Sequence, residues 1–241
     1  MDLFLGGLAV ALAAFMGGVT GFGYSFVATP LLLLIGFPLP FVVTANMSVA
    51  GITRMSVAYR FRAYANPRRA GGMIAGCVPG LWLGALVLTT VDESAIELVA
   101  GLILMLAAAL LWRAVSAPPP RPLPGAPPVA GFLGGFLGAA TSLNGVAPVL
   151  LLAREKAAPQ SFQADLALYF VAANAIGLLI LVVLGGIDEE ALVPAALLWL
   201  PGSLVGNWAG TALGPRLPEV AFRHLVLGIV FVAGAVTAVA A

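Results

Sequence analysis

The chain has few of the residues that metalloproteins and disulfide-bonded proteins use, with one cysteine and one histidine among 241 residues. Cys77 has no second cysteine to pair with, and a single histidine leaves zinc without a set of soft ligands. Charged residues make up only 9% of the chain, the net charge is +1, and the basic residues are spread over short loops. These features exclude a nucleic-acid-binding patch and predict neither a metal nor another cofactor.

Apolar residues dominate what is present. They make up 61% of the chain, and the mean hydropathy is +1.09, which is typical of a protein embedded in lipid. The chain begins Met-Asp-Leu-Phe without the basic stretch that opens a cleavable signal peptide, so we expect the first apolar run to remain in the protein. Ten apolar stretches predict an all-α polytopic membrane protein: residues 3–21, 24–37, 40–59, 70–90, 95–113, 128–142, 145–153, 162–185, 191–213 and 219–240.

Two of these stretches are short for a membrane span. A helix needs about 20 residues to cross the hydrocarbon core, so residues 145–153 cannot cross alone and residues 24–37 barely can. Both follow a glycine-rich break directly. We therefore expect the first two segments of each half to form a broken or re-entrant helical hairpin, with three ordinary spans behind it.

The two halves resemble each other along their length. Residues 79–84 (Pro-Gly-Leu-Trp-Leu-Gly) return as residues 201–206 (Pro-Gly-Ser-Leu-Val-Gly), and residues 17–20 align with residues 138–141. This similarity predicts two repeats of about five helical segments each. Residues 1–115 form the first repeat, residues 116–127 a proline-rich linker, and residues 128–241 the second repeat.

Equivalent loops of the two repeats carry opposite charge. Residues 60–69 contain four arginines, whereas residues 187–190 read Ile-Asp-Glu-Glu; the loops after the two Pro-Gly sequences show the reverse pattern. Under the positive-inside rule such loops lie on opposite sides of the membrane, so we expect the second repeat to be inverted. Both termini are then outside, and the arginine-rich loops and the linker are cytoplasmic.

Residues 21–32 (Gly-Phe-Gly-Tyr-Ser-Phe-Val-Ala-Thr-Pro-Leu-Leu) and residues 134–141, leading to Pro148, resemble the TauE/SafE family of sulfite and organosulfonate exporters. The resemblance extends through residues 162–174 and both Pro-Gly sequences, and so covers nearly the whole chain. It implies a secondary transporter that moves small sulfur-containing or carboxylate anions out across a prokaryotic cytoplasmic membrane. Leu143 and Asn144 depart from the family pattern, in which a glycine pair often precedes the proline.

The two glycine-rich breaks are the predicted anion site. Unwound segments expose backbone N–H groups at a helix start, and neighbouring hydroxyl and amide groups add further donors. The alternative is that the small residues only allow close helix packing. The candidate residues are Thr20, Gly21, Phe22, Gly23, Tyr24 and Ser25 in the first break and Thr141, Ser142, Asn144 and Gly145 in the second.

Further polar residues lie within the apolar spans. Asn46 and Asn174 occupy spans of the same rank in the two repeats and are candidate site residues, although buried amides also pair with neighbouring helices. Arg54 could neutralise a bound anion or extend towards the cytoplasmic surface. Asp165 is a candidate for proton coupling, and its alternative role is to stabilise a helix start at residues 159–161.

A membrane-embedded enzyme and an anion channel are the alternative functions. An enzyme lacks support because His224 stands alone and no catalytic residue pair is visible. A channel and a carrier both use polar breaks in helices, so the sequence does not separate them. The sequence gives no oligomeric state; its expected partners are a small anion and membrane lipid.

Overall fold

The computed structural model describes residues 2–92 and 125–214, with isolated positions between 95 and 106 and at 228. This part of the chain is helical and contains no strands. Eight predicted stretches correspond to these helices; the stretches 95–113 and 219–240 and most of the linker lie outside the described residues. The helices are α1 (Leu3–Thr20), α2 (Tyr24–Ile35), α3 (Leu39–Phe61), α4 (Pro67–Thr90), α5 (Ala126–Thr141), α6 (Val146–Arg154), α7 (Pro159–Val183) and α8 (Glu189–Leu213).

Helices α1 and α2 form a hairpin that returns to the end of the bundle where it starts. Gly17, near the end of α1, faces Tyr24 at the start of α2, and Gly6, near the start of α1, faces Phe37 just after α2. Helices α5 and α6 form a second hairpin, in which Gly138 packs against Asn144. Glycine is needed at these positions because a Cβ atom would overlap the facing helix.

The loops gather at two opposite ends of the bundle. At the basic end, Arg69 at the start of α4 pairs with Glu155 after α6 and with Asp165 in α7. At the acidic end, the α2–α3 loop, the end of α4 and the α7–α8 loop surround one hollow. Helix α7 has 25 residues, about 37 Å at 1.5 Å per residue, and connects the two ends. Residues 60–69 therefore lie at one end and residues 186–190 at the other.

Helices of the first half pack against helices of the second half. Helix α1 packs along α8 and helix α5 packs along α4, while α3 and α7 pack against each other. Exchanging the halves converts the first of these contacts into the second and leaves the third unchanged. The small residues of α4 and α8 make these contacts close, because a Cβ at Gly80 or Gly206 would overlap a backbone carbonyl of the facing helix.

The packing of the two Pro-Gly helices is offset by one helical turn from the positions that the sequence alignment pairs. Gly80 packs against the carbonyl of Phe132, whose counterpart in the first half is Ala11 when residues 17 and 138 are aligned. The carbonyl of Ala11 is approached by Gly206 rather than by Gly202, the predicted equivalent of Gly80. Helix α8 can take this position because its glycines recur every four residues and keep one face of the helix open.

The surface of the bundle is suited to lipid. Among the described helices, α1, α3, α4, α7 and α8 are long and apolar enough to cross a membrane. Their outer faces expose large apolar side chains, including Leu197, Val205 and Trp208. Because exposed apolar area of this extent is unfavourable in water, the protein is a multi-pass membrane protein.

Candidate functional site

A small chamber lies where the two helix breaks meet the central helices α3 and α7. Its volume is about 10 Å³, which holds no more than about one water molecule. Both hairpins contribute to its wall, so the chamber lies between the two halves. The wall consists of Phe22, Tyr24 and Ser25 from the first break and α2, Ala50 and Arg54 from α3, Asn144 from the second break, and Phe170 and Asn174 from α7.

Arg54 is the charged residue of this wall. It is only 3% exposed, so its side chain stays inside the bundle and does not extend to the surface. Within the described residues it makes no hydrogen bond or ion pair, and its guanidinium lies 5.9 Å from the centre of the Phe170 ring. Gly17 makes room for it, because a Cβ there would lie 2.6 Å from the Arg54 Nη2 atom. A buried cation without an anionic partner is costly, so this geometry suits an anion that binds and leaves.

Two asparagine side chains contribute amide groups to the chamber wall. The Asn144 side chain donates from Nδ2 to Asn174 Oδ1 at 2.8 Å, which joins the second break to α7. The Asn174 Nδ2 group and the Tyr24 hydroxyl are buried and have no hydrogen-bond partner in the part of the chain that the structure describes. Buried polar groups are normally paired, so these two donors are available to a ligand.

Asn46 belongs to a separate polar cluster on α3. Its Nδ2 group donates to Ser142 Oγ at 2.9 Å and to Thr29 Oγ1 at 3.1 Å, while its Oδ1 atom is buried without a partner. Asn46 lies two turns before Arg54 on α3, towards the acidic end. Asn46 and Ser142 therefore lie outside the chamber wall, on the side of the acidic end.

The backbone amides of the breaks are largely used by the protein itself, which differs from the expectation that they are free. The Thr20 hydroxyl accepts hydrogen bonds from the N–H groups of Gly23 and Phe22, and Gly21 N–H donates to the Gly17 carbonyl. In the second break, Ser142 N–H donates to the Gly138 carbonyl. A short polar side chain or a left-handed turn can satisfy helix-end groups locally. Side chains are therefore the main donors left for a ligand.

Four other predicted residues lie outside the chamber wall. Gly21 packs beside the side chain of Gln163, and the Thr141 hydroxyl donates back to the carbonyl of Leu137. Gly23 packs against the Thr20 hydroxyl, and Gly145 faces the ring of Phe170 behind the wall. These residues, with Thr20, shape the two breaks and do not contact the chamber.

Asp165 lies in an ion cluster at the basic end. Its carboxylate accepts hydrogen bonds from Arg69 Nε at 2.6 Å and from the Asn66 N–H group at 2.7 Å. Arg69 also reaches Glu155 Oε2 and Ser161 Oγ, both at 2.9 Å. Asp165 is fully buried and lies beyond the first turn of α7, so Arg69 and Asn66 are its partners rather than the start of its own helix. The cluster therefore links the first half to the second at the basic end.

The acidic end has an open hollow of about 650 Å³. Thr44, between the acidic end and Asn46 on α3, is part of its wall. Along the bundle, the chamber wall lies between the ion cluster at the basic end and the Asn46 cluster on the side of the acidic-end hollow. Among the described residues, no group of three or more histidine, cysteine, aspartate or glutamate side chains could hold a metal ion.

The sequence analysis missed Gly17, Ala50 and Phe170. Ala50 and Phe170 each precede a predicted site residue, Arg54 and Asn174, by four positions on the same helix. Residues four apart lie on one helix face, so this spacing was a usable signal. Gly17 had no such signal, because its role depends on where the Arg54 side chain turns.

Comparison with known proteins identifies the family. The family model described as "Sulfite exporter TauE/SafE" matches residues 6–237, nearly the whole chain. No curated protein and no solved structure gives a significant match. The family assignment agrees with an all-helical membrane protein that has a buried polar chamber and apolar outer faces. The chain belongs to the TauE/SafE sulfite exporter family.

Proposed function

We propose that the protein is a secondary transporter that exports small sulfur-containing anions, such as sulfite or sulfonates, across the cytoplasmic membrane. The proposal rests on Arg54, a buried cation that has no anionic partner among the described residues and lies in a chamber rich in hydrogen-bond donors. The Arg54 guanidinium loses its hydrating water when it is buried. An anion bound beside it would compensate for that loss with charge-assisted hydrogen bonds. The family match supports transport of this class of solute.

Two inverted repeats account for the position of the chamber. The exchange of packing partners, α1 with α8 and α5 with α4, is what a two-fold axis in the membrane plane would produce. The two hairpins start from opposite ends of the bundle, which supports the same relation. On this proposal the basic end is cytoplasmic, both termini are outside, and residues 1–115 and 128–241 are the two repeats.

The small size of the chamber favours a carrier over a channel. A channel needs a continuous path when open, whereas the chamber between the two breaks is too small for a hydrated anion. In a carrier, the Arg69 cluster would separate when the chamber opens to the cytoplasm. The acidic-end hollow would be the outer exit.

The membrane potential favours outward movement of an anion. One negative charge that moves out of a cell with a negative interior gains about 2.3 kcal/mol per 100 mV. The described residues of the chamber wall include no carboxylate that could carry a coupled proton. We therefore propose that export of a charged anion proceeds without an obligatory coupling ion.

Asp165 is a predicted coupling residue. Coupling through Asp165 requires that its carboxylate exchange a proton during transport. Its contacts with Arg69 and Asn66 favour a role in closing the basic end. The Asp165→Asn variant separates the two roles: loss of stimulation by a pH gradient, with basal flux retained, would support coupling. Flux of wild-type protein that is indifferent to a pH gradient would exclude it.

Transport in reconstituted vesicles tests the proposed function. Purified protein should move radiolabelled sulfite or methanesulfonate with a saturable rate and should show counterflow, in which unlabelled anion on one side drives uptake of labelled anion from the other. Flux that does not saturate and shows no counterflow would indicate a channel. Vesicles that move neither anion, while the protein remains folded, would contradict the proposal.

A further inference from the structure

The charges of the chamber set the charge of its ligand. Arg54 contributes one positive charge, and the other wall residues are three apolar residues and four neutral polar ones. Tyr24 is the other titratable side chain of the wall. Asp165, the buried carboxylate of α7, is bound to Arg69 at the basic end and is not part of the wall. Within the described residues, the chamber therefore has a net side-chain charge of one positive unit.

Helix dipoles do not add to this charge. The starts of α2 and α6 face the two breaks and would each contribute up to about half a positive charge. However, α1 and α5 end at the same breaks, and the end of a helix carries an opposite partial charge of similar size. Because each hairpin brings a helix end and a helix start together, the two contributions largely cancel.

The geometry points to a ligand with a single negative charge, and this inference rests on the proposed function. A monoanion neutralises Arg54 and takes hydrogen bonds from Asn174 Nδ2 and the Tyr24 hydroxyl. A dianion of the same shape leaves one negative charge inside the bundle beside the apolar rings of Phe22 and Phe170. An uncompensated buried charge is strongly unfavourable, so the chamber selects sulfonates and hydrogensulfite over sulfate and the sulfite dianion.

Competition in vesicles tests this charge selection. Methanesulfonate and sulfate have similar shapes, since a methyl group replaces one charged oxygen, but they differ by one unit of charge. Uptake of labelled methanesulfonate should be inhibited by unlabelled methanesulfonate at a concentration at least about tenfold below that needed for sulfate. Equal inhibition by sulfate would overturn the inference while leaving anion transport intact. Absence of any methanesulfonate or sulfite flux would instead overturn the proposed function.

The dependence on pH gives a second measurement on the same protein. Hydrogensulfite loses its proton near neutral pH, so inhibition by sulfite should weaken as the pH rises through that range. Self-inhibition by methanesulfonate serves as the control, because this anion keeps a single charge and any change would report titration of the protein. Stronger inhibition by sulfite at the higher pH would contradict selection of a monoanion.

Two variants of Arg54 separate charge from geometry. Arg54→Lys keeps the positive charge and should retain the preference for methanesulfonate over sulfate with weaker binding, because lysine lacks the planar fork of donors. Arg54→Gln should lose inhibition by both anions. If Arg54→Lys inverted the preference, the shape of the guanidinium rather than the charge balance would determine selection, and the inference would fail.

Discussion

The two helix breaks reach the same chamber but are built differently. The first turns at Gly21, which has a left-handed φ of 85°, and its amides are held by the Thr20 hydroxyl. The second turns at Ser142, which has a φ of 67° although it carries a side chain. Its hydroxyl accepts a hydrogen bond from Asn46, and the neighbouring Asn144 binds Asn174.

The two breaks therefore differ in how they are connected to the central helices. The side-chain hydrogen bonds described for the first break stay within its own hairpin, whereas those of the second break connect it to the central helices α3 and α7. Movement of α3 or α7 is therefore transmitted to the second break more directly than to the first. We expect substitutions in the second break to affect transport more than matched substitutions in the first.

The largest expected effect is at Arg54, which both breaks share. Arg54→Gln removes the charge that balances the anion, at a cost of about 3 kcal/mol or more, so transport should fall on the order of 100-fold. Initial rates in vesicles measure this change. Arg60→Gln is the matched control, because Arg60 lies on the same helix but is exposed at the basic end. Similar rates for the two variants would show that Arg54 does not bind the anion.

The next effect compares the polar side chains of the two breaks. Asn144→Leu keeps the size of the side chain but leaves Asn174 Oδ1 without its donor, and a loss of about 1–3 kcal/mol should reduce transport about tenfold while the protein stays folded. Ser25→Ala in the first break should have a smaller effect, because the Ser25 side chain lines the chamber but makes no hydrogen bond to another side chain among the described residues. Wild-type rates for Asn144→Leu would remove that residue from the site, and a larger effect of Ser25→Ala would reverse the comparison.

The smallest effect concerns the turn residues themselves. Gly21→Ala places a side chain in a left-handed turn and should destabilise the protein by about 1–2 kcal/mol. Ser142→Gly removes that conformational cost but also the hydrogen bond from Asn46, so the two changes should nearly cancel, within about 1 kcal/mol. Thermal unfolding of the two purified variants measures both values. Equal destabilisation by the two substitutions would show that the turns are held in the same way.

Much of the fold was readable from local sequence. The glycine-rich breaks and the shortness of the following segments predicted the helices before and after each break, because helix length and hydropathy are local properties. The start of α5 at Ala126, two residues before the predicted boundary, reflects the helix-starting prolines that follow it. The opposite charges of the loops at residues 60–69 and 186–190 agree with their positions at opposite ends.

The parts that the sequence did not give depend on contacts between distant segments. Arg54 could have extended to the basic end, and its inward position follows from the space left by Gly17 on another helix. The partner of Asp165 is an arginine 96 positions away, which no local pattern predicts. The one-turn offset between Gly80 and Gly206 likewise appears only when α8 is packed along α1.

The central claim is that Arg54 and the two breaks hold an anion between them. Crystals of the protein grown with selenite, a heavier analogue of sulfite, would locate the anion by its anomalous scattering. We expect a selenium peak within reach of the Arg54 guanidinium and between Ser25 and Asn144, with the chamber opened enough to admit the anion. A peak confined to the acidic-end hollow, with Arg54 unoccupied at saturating selenite, would contradict it.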